Sequence, residues 1–313
     1  MFRLNYEKKD LGQSYLLAVA TMVVSSLVLG LIFGADASGL SYWLMQALFT
    51  LLIGGSAFLY AVITRTKVFA ATKLNVVPRY THVLWGCLAV VFLVACMTPI
   101  NNALLDCIEA MGLKRPSVTI EDNLAGLLIV ACLLPAFCEE LVFRGTVAQS
   151  IEGMNNKLGA LAISGALFSL FHANPAQTIH QFVLGAFLTL LVLRSGSLWT
   201  SVIVHLFNNA LVVALSYTPI GEDAFWSFSE NTAVVVTCLC VGVVGFAASV
   251  FGYVKTTKSV WHRSNVRSDE ENEENNTPST SKNNSTSQLS SKLMLIVAIV
   301  VCVALWVASL FAL

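Results

Sequence analysis

Charged side chains are scarce in this sequence. Only 12% of the 313 residues are Asp, Glu, Lys or Arg, about half of the share in an ordinary soluble domain, whereas 56% are hydrophobic. Water is therefore not the main solvent of this chain. Basic and acidic residues balance, so we expect no nucleic-acid partner. The eight cysteines show no metal-type pairing, and we interpret them as small buried apolar residues.

Long apolar runs fill the sequence instead. A transmembrane helix needs roughly 20 apolar residues to cross about 30 Å of hydrocarbon. Runs near this length predict nine spans, of which the fifth and sixth are short or carry polar residues. They lie near 14–34, 40–63, 83–105, 122–143, 157–172, 177–193, 197–217, 231–254 and 293–313. The predicted fold class is all-α, a polytopic transmembrane helix bundle of about eight core helices plus one C-terminal helix.

Basic residues between the runs predict the orientation. Cytoplasmic loops collect Lys and Arg. The N-terminus and the loop between the second and third runs hold many of them: Arg3, Lys8, Lys9, Arg65, Lys67, Lys73 and Arg79. Alternation then puts Lys157, Arg194 and Lys255 on the same side, whereas the loop at 216–230 has no Lys or Arg. We predict a multi-pass protein of the cell membrane, in contact with the lipid bilayer, with a cytoplasmic N-terminus.

Composition divides the chain into four segments. We predict N-terminal transmembrane helices and loops over 1–121, a core that holds the polar clusters over 122–255, a disordered polar linker over 256–291 and a C-terminal transmembrane helix over 292–313. The linker is nearly devoid of large apolar groups, so burial cannot offset the entropy lost on ordering. We expect the last helix to be a tethered appendage that serves in anchoring or in partner contact and takes no part in any chemistry.

Three polar clusters interrupt the apolar runs of the core. An ionisable group at membrane depth costs several kcal/mol unless it is paired or hydrated, so each cluster is a functional hypothesis. The clusters are Glu139 and Glu140 with Arg144, Phe168 with His172, and His205 with Asn209. A lone histidine inside a membrane more often satisfies a core hydrogen bond than performs catalysis. The co-occurrence of two such histidines with a double glutamate favours catalysis here.

Helical spacing separates the two glutamates. Residues four apart share a helix face, so Glu140 can pair with Arg144 while Glu139 points about 100° away. We expect Glu140 to be structural and Glu139, which has less compensation in a low dielectric, to act as a general base on water together with His172. His205 and Asn209, also four apart, would hydrogen-bond the developing oxyanion.

At these residues the sequence resembles the CAAX proteases and bacteriocin-processing enzymes, the CPBP or Abi family of intramembrane glutamic endopeptidases. The family motifs E-E-x-x-x-R, F-x-x-x-H and H-x-x-x-N occur here in order, within residues 120–217. The resemblance implies an all-α bundle with a water-accessible cavity that hydrolyses a peptide or membrane-protein substrate. It implies these roles: Glu139 and His172 as base and proton shuttle, His205 and Asn209 as the oxyanion site, and Glu140, Arg144 and Phe168 as supporting residues.

A metal cofactor is the open point of this resemblance. One glutamate and two histidines could ligate zinc, and the set would be Glu139, His172 and His205. The motif H-E-x-x-H is absent, however, and Asn209 is a poor zinc ligand but a good oxyanion donor. We therefore predict a mechanism without a cofactor and keep zinc as the alternative.

Two functions other than proteolysis use the same residues. A non-catalytic membrane protein for bacteriocin self-immunity or scaffolding would use them to lock the bundle, but it would have no need of Glu139 once Glu140 pairs with Arg144. A transporter or proton relay would use the intramembrane carboxylate. We see no inverted repeat of the kind that many transporters carry.

Overall fold

The computed structural model describes residues 2–34, 37–113, 123–217, 231–261 and 281–312, and within these ranges it is all-α. A helix satisfies its own backbone hydrogen bonds, which a bilayer cannot do. The helices are α1 (Asp10–Phe33), α2 (Gly39–Ile63), α3 (Val68–Ala71), α4 (Tyr80–Ala110), α5 (Leu124–Ser150), α6 (Lys157–Phe171), α7 (Thr178–Ser195), α8 (Leu198–Tyr217), α9 (Thr232–Thr256) and α10 (Ser281–Ala312).

Each of the nine predicted runs is a helix. Eight of the described helices are long and apolar enough to cross a membrane: α1, α2, α4, α5, α7, α8, α9 and α10. The helix of the remaining predicted run, α6, has only 15 residues and rises about 22 Å, less than the about 30 Å of a hydrocarbon core. The all-α polytopic bundle is confirmed, with eight candidate spans in the described residues and two shorter helices, α6 and the four-residue α3.

The basic loops meet on one face of the bundle. The connections at 64–79, 151–156, 195–197 and 257–261 lie beside the N-terminus, as the alternation of the runs predicts. Hydrogen bonds that join them run from Arg3 N to Arg65 O (2.9 Å), Leu198 N to Lys73 O (3.2 Å) and Trp261 Nε1 to Glu152 O (2.9 Å). Which side of the membrane this face occupies stays a prediction. The predicted loop 216–230 lies mostly outside the described residues.

Glycines let two pairs of helices approach closely. A Cβ added at Gly242, Gly245 or Gly252 of α9 would come within 2.5 Å of side chains on α4. In the α6–α7 hairpin, a Cβ on Gly165 would lie 2.6 Å from a backbone oxygen of α7, and one on Gly185 would lie 3.0 Å from Phe168. Such small-residue contacts are common between membrane helices. The second crossing brings the backbone of α7 against the polar clusters.

The predicted linker at 256–291 is wrong at both ends. On its first side, Trp261 is 3% exposed and its indole N–H donates to Glu152 O. On its second side, α10 begins at Ser281 rather than at residue 292. Ser291 is buried against α1, where its hydroxyl accepts a hydrogen bond from Gly12 N at 3.2 Å. Such contacts offset the entropy lost on ordering, and the polar composition of the segment does not reveal them. The middle, 262–280, lies outside the described residues.

The C-terminal helix is packed into the bundle and is no tethered appendage. Ala298 and Cys302 on α10 are fully buried. The Trp306 indole N–H donates to Thr178 Oγ1 at the start of α7, at 2.8 Å. The Tyr15 hydroxyl on α1 donates to Leu167 O and lies 3.5 Å from Cys302 Sγ. These contacts fix α10 against α1, α6 and α7.

Gly12 tests this packing. A Cβ there would lie 1.8 Å from Ser291 O, so Gly12→Ala should displace α10 and lower the melting temperature in detergent. Gly30→Ala on the same helix is the matched control, because nothing lies within 4 Å of its Cβ and alanine favours the helix by about 1 kcal/mol. Equal melting temperatures for both variants would contradict the close approach of α10 to α1.

Candidate active site

The two glutamates lie in the middle of α5, between two wide helical turns. Residues Leu134–Val142 are α-helical, whereas Leu127–Leu133 and Phe143–Val147 form π-helical turns. Insertions of this kind often occur at functional sites. Glu139 and Glu140 therefore sit near the centre of a helix long enough to cross the membrane.

Pro135 accounts for the position of Asn209. Proline has no N–H and therefore cannot donate to the carbonyl of Ala131, four residues earlier. Asn209 Nδ2 on α8 donates to that carbonyl at 3.3 Å. The amide orientation is fixed from the other side, because Asn208 Nδ2 donates to Asn209 Oδ1 at 3.0 Å. Asn209 thus joins α8 to α5 at the carbonyl to which Pro135 cannot donate.

Arg144 is the centre of a buried polar network. Its side chain has no exposed surface, and Nη1 donates to Glu140 Oε1 at 2.7 Å across one helical turn. Nη2 donates to Gly185 O on α7 at 3.1 Å. The guanidinium carbon lies 4.2 Å from the centre of the Phe168 ring, within cation–π range. One side chain therefore joins α5, α6 and α7.

His205 joins α8 to the same carboxylate. Its Nδ1 lies 2.9 Å from Glu140 Oε1, and both side chains are buried. A carboxylate held by arginine only accepts hydrogen bonds, so Nδ1 carries the hydrogen. In a neutral ring the free lone pair is then on Nε2. Glu140 is thus the structural carboxylate that the spacing predicts, with His205 as an additional partner.

Glu139 faces His172, away from this network. Glu139 Oε2 lies 3.6 Å from His172 Nε2, and each side chain is 18% exposed. Nδ1 of His172 donates to Phe168 O at 2.8 Å, because a carbonyl oxygen only accepts. In the neutral ring, Nε2 therefore presents a lone pair to the carboxylate. Two acceptors that face each other require a proton or a water molecule between them.

A cavity of about 430 Å³ opens onto this pair. Its walls are largely apolar and come from α1, α2, α5, α10 and the residues that end α6. They are formed by Met22, Val23, Ser26, Leu27, Phe49, Thr50, Ile53, Glu139, Phe171, His172, Ala173, Leu305 and Ser309. Large apolar pockets with a few converging polar groups are the usual form of a substrate site.

The structure gathers most of the predicted site residues. Phe168 joins them, because its ring centre lies 4.6 Å from that of His172 and 6.0 Å from that of His205. Glu139 and His172 line the cavity, whereas His205 and Asn209 are not among its lining residues. No hydrogen bond within the described residues joins Asn209 to Glu139. The oxyanion role of His205 and Asn209 therefore stays a prediction.

Several functional contacts had no signal in the sequence. The acceptor role of the Gly185 carbonyl depends on where α7 crosses α6. The cavity walls from α1, α2 and α10 depend on tertiary packing, and their residues form no motif. The one available hint was the row of small residues on α10, Ser291, Ala298 and Cys302, whose spacing of seven and four places them on one helix face.

The alternative zinc site does not fit this arrangement. Within the described part of the chain, no three His, Cys, Asp or Glu side chains are grouped so that they could hold a metal ion. Glu139 and His172 lie together, whereas the contact of His205 that the structure shows is with Glu140. The proposed chemistry below therefore contains no step through a metal.

Comparisons with known proteins agree with the motifs. Residues 121–211 match a family model described as "Type II CAAX prenyl endopeptidase Rce1-like". A curated protein of Bacillus subtilis (strain 168), named "Putative membrane peptidase YdiL", is 24% identical over 120 residues, which cover 38% of this chain and 44% of that protein. The chain thus matches less than half the length of this relative. No solved structure matches. The resemblance to the CAAX protease family is confirmed, and both comparisons support a membrane protease at the level of the family.

Loss of the Arg144 charge tests the buried network. Arg144→Met leaves the buried Glu140 carboxylate without its cation, so we expect a loss of about 3–5 kcal/mol in the free energy of unfolding. Lys9→Met removes the surface ion pair with Glu7 and should cost at most about 1 kcal/mol. Equilibrium unfolding in mixed detergent measures both.

A double variant separates charge from packing. In Glu140→Gln with Arg144→Met no uncompensated charge is buried, so this protein should be more stable than Arg144→Met alone. If the double variant is less stable than Arg144→Met, the methionine side chain and not the unpaired carboxylate causes the loss of stability in the single variant.

Proposed function

Because residues 121–211 fall within the CAAX protease family, we propose that this protein is a membrane-embedded endopeptidase in which Glu139 and His172 activate a water molecule. The observation that carries the proposal is the pair itself. Two acceptors, Glu139 Oε2 and His172 Nε2, face each other at 3.6 Å beside an apolar cavity. Glu139 Oε2 has no hydrogen-bond partner among the described residues.

We place a single water molecule between this pair, which requires a small rotation of the Glu139 carboxylate because Oε2 itself has almost no exposed surface. With hydrogen bonds of about 2.8 Å to each acceptor, it lies to the side of the line that joins them. Both of its hydrogens are then engaged, and an oxygen lone pair is free to attack. General-base groups must lie within hydrogen-bond reach of the proton they remove, and such contacts are often looser before substrate binds.

The reaction is an addition followed by an elimination. The water oxygen bonds to the carbonyl carbon of the substrate while Glu139 takes one proton. The carbonyl oxygen becomes the oxyanion of a tetrahedral intermediate. The proton then passes through Glu139 or His172 to the nitrogen, the carbon–nitrogen bond breaks, and a carboxylic acid and an amine leave, which become carboxylate and ammonium when the acid proton moves to the amine. Side chains that are ordered before substrate binds keep the reorganisation energy low.

His205 and Asn209 take supporting roles in this proposal. Nδ1 of His205 is committed to Glu140, so Nε2 donates to an oxyanion only when the ring is protonated, and the Glu140 carboxylate stabilises that cation. One hydrogen of Asn209 Nδ2 goes to Ala131 O, which leaves the second for the intermediate. Glu140, Arg144 and Phe168 hold these side chains in place.

The proposed substrate is a peptide or membrane protein that reaches the site from the bilayer. Apolar side chains dominate the cavity walls, so an apolar segment of substrate would be stabilised by about 25 cal/mol for each Å² that it buries there. A lipid-modified peptide and an unmodified transmembrane segment both have this property. The match to prenyl endopeptidases makes prenylated peptides the first to test.

Replacement of the pair tests the proposal. Glu139→Gln and His172→Ala should each lower kcat by about 10²- to 10⁴-fold, the usual contribution of an acid–base group. His82→Ala is the matched control, because His82 is also buried and hydrogen-bonded, to Tyr253, but lies on α4 outside the site. Cleavage of a peptide library by the purified protein in detergent, followed by mass spectrometry, gives the rates.

The outcomes separate the enzyme from a scaffold. Full cleavage by Glu139→Gln, with a melting temperature equal to wild type, would remove the mechanism. If the wild-type protein cleaves nothing in detergent or in vesicles while the variants keep their cellular phenotype, the hypothesis of a non-catalytic membrane protein replaces the protease proposal.

A chelator tests the metal-free part of the proposal. Since no step uses a metal, incubation with 1,10-phenanthroline should leave the cleavage rate unchanged, and elemental analysis should find no stoichiometric zinc. A loss of activity that added Zn²⁺ restores, and that Mg²⁺ does not, would replace the water-activating pair by a zinc centre.

A further inference from the structure

The C-terminal helix reaches the cavity that holds Glu139 and His172. Leu305 and Ser309 of α10 are lining residues of this cavity, together with residues of α1 and α2. The family match ends at residue 211, so α10 lies outside the segment that carries the motifs. The chemistry and one wall of its cavity therefore come from separate parts of the chain.

The pattern of exposure along α10 distinguishes its two sides. Ser291, Ala298 and Cys302 are buried against the bundle, whereas Val300 and Val307 are 60% and 42% exposed. Leu305 and Ser309 continue the inward side, because residues three, four and seven apart share a face. They are partly accessible there because they border the cavity and not a packed neighbour.

A hydrogen bond holds this part of α10 close to the catalytic pair. The Trp306 indole N–H donates to Thr178 Oγ1 at 2.8 Å, and Thr178 begins the helix that follows the turn after His172. Thr178 O in turn accepts from Ser169 Oγ on α6 at 2.7 Å. The position of Leu305 and Ser309 relative to His172 is thus fixed through α6 and α7.

The polar groups of the cavity wall present acceptors. Ser309 Oγ donates to Trp306 O at 2.7 Å, and Thr50 Oγ1 on the opposite wall donates to Gln46 O at 3.0 Å. A hydroxyl that has given its hydrogen to its own helix offers only oxygen lone pairs to a ligand. These two positions therefore suit the N–H donors of a peptide backbone, while Leu305 suits an apolar side chain.

We propose that α10 is part of the substrate site, in which Ser309 accepts a hydrogen bond from the substrate backbone and Leu305 limits the size of the apolar side chain bound beside Glu139. This inference rests on the proposed protease function and adds the residues that determine specificity. It assigns a role in substrate selection to a helix that the family motifs do not include.

Variants at residue 305 test the size limit. Peptides that differ only in one apolar residue near the cleaved bond, from alanine to tryptophan, give a profile of kcat/KM. Leu305→Ala should raise the ratio for the tryptophan peptide over the alanine peptide by about 10-fold or more, the effect of a pocket change of this size. Leu305→Trp should lower that ratio. Val307→Trp on the exposed side is the control and should leave the profile unchanged.

The result that overturns the proposal is a profile that stays the same in both Leu305 variants while cleavage continues. Ser309→Ala adds a second readout. It should raise KM with little change in kcat, and Ser309→Thr, which keeps the hydroxyl, should restore KM. If Ser309→Ala and Ser309→Thr lower kcat equally and leave KM unchanged, Ser309 makes no contact with the substrate.

Thiol labelling tests the wall without any use of proteolysis. In Ser309→Cys the new thiol borders the cavity, so a small water-soluble maleimide should modify it faster than the thiol of Val307→Cys, which faces lipid. Both variants are made with Cys302→Ser, because Cys302 lies in the same peptide, and mass spectrometry of that peptide then reports the new thiol alone. Equal or slower labelling at 309 overturns the placement of α10. If the wild-type protein cleaves no peptide but the thiol at 309 is still labelled faster, the protease proposal fails, whereas the placement of α10 beside the cavity is supported.

Discussion

The bundle is organised around one positive charge that has no access to water. A guanidinium with no exposed surface is stable only where its surroundings supply acceptors in the right directions. Arg144 obtains a carboxylate from its own helix, a carbonyl from α7 and an aromatic face from α6. Each partner comes from a different element, so the charge is satisfied only when the helices are assembled in one way.

The position of the Glu139–His172 pair follows from this arrangement. Arg144 forms an ion pair with Glu140. Because successive residues of a helix are about 100° apart, Glu139 then lies on the neighbouring face, toward His172. The Phe168 ring contacts both histidines, and the backbone carbonyl of Phe168 fixes the hydrogen of His172 on Nδ1. Glu140 of the buried ion pair and Glu139 of the pair with His172 are thus adjacent in sequence but lie on different faces of the helix.

Local patterns predicted local contacts well. The spacing of four residues predicted the Glu140–Arg144 pair, and the apolar runs predicted the helices. Each prediction depends only on the geometry of a single helix. The meeting of Glu139 with His172 was a hypothesis drawn from the co-occurrence of the polar clusters and from the family resemblance, since two helices separated by a loop carry no register in their sequences. The start of α10 was mispredicted because composition measures what a segment can bury by itself. Ser291 is ordered by a partner on α1, 279 residues away in sequence.

The short length of α6 has a consequence for hydration. A helix of 15 residues that starts at one surface of a typical hydrocarbon core ends about 8 Å short of the other, which for α6 is the position of the turn that follows His172. Ala173 in that turn has φ of 45°, and irregular backbone at such depth is tolerated only where protein or water surrounds it. A helix one or two turns longer would move this turn to the membrane surface. With α6 starting at one surface of the core, the imidazole of His172 lies within a few water diameters of the opposite membrane surface, a short path for the water that the proposed hydrolysis consumes.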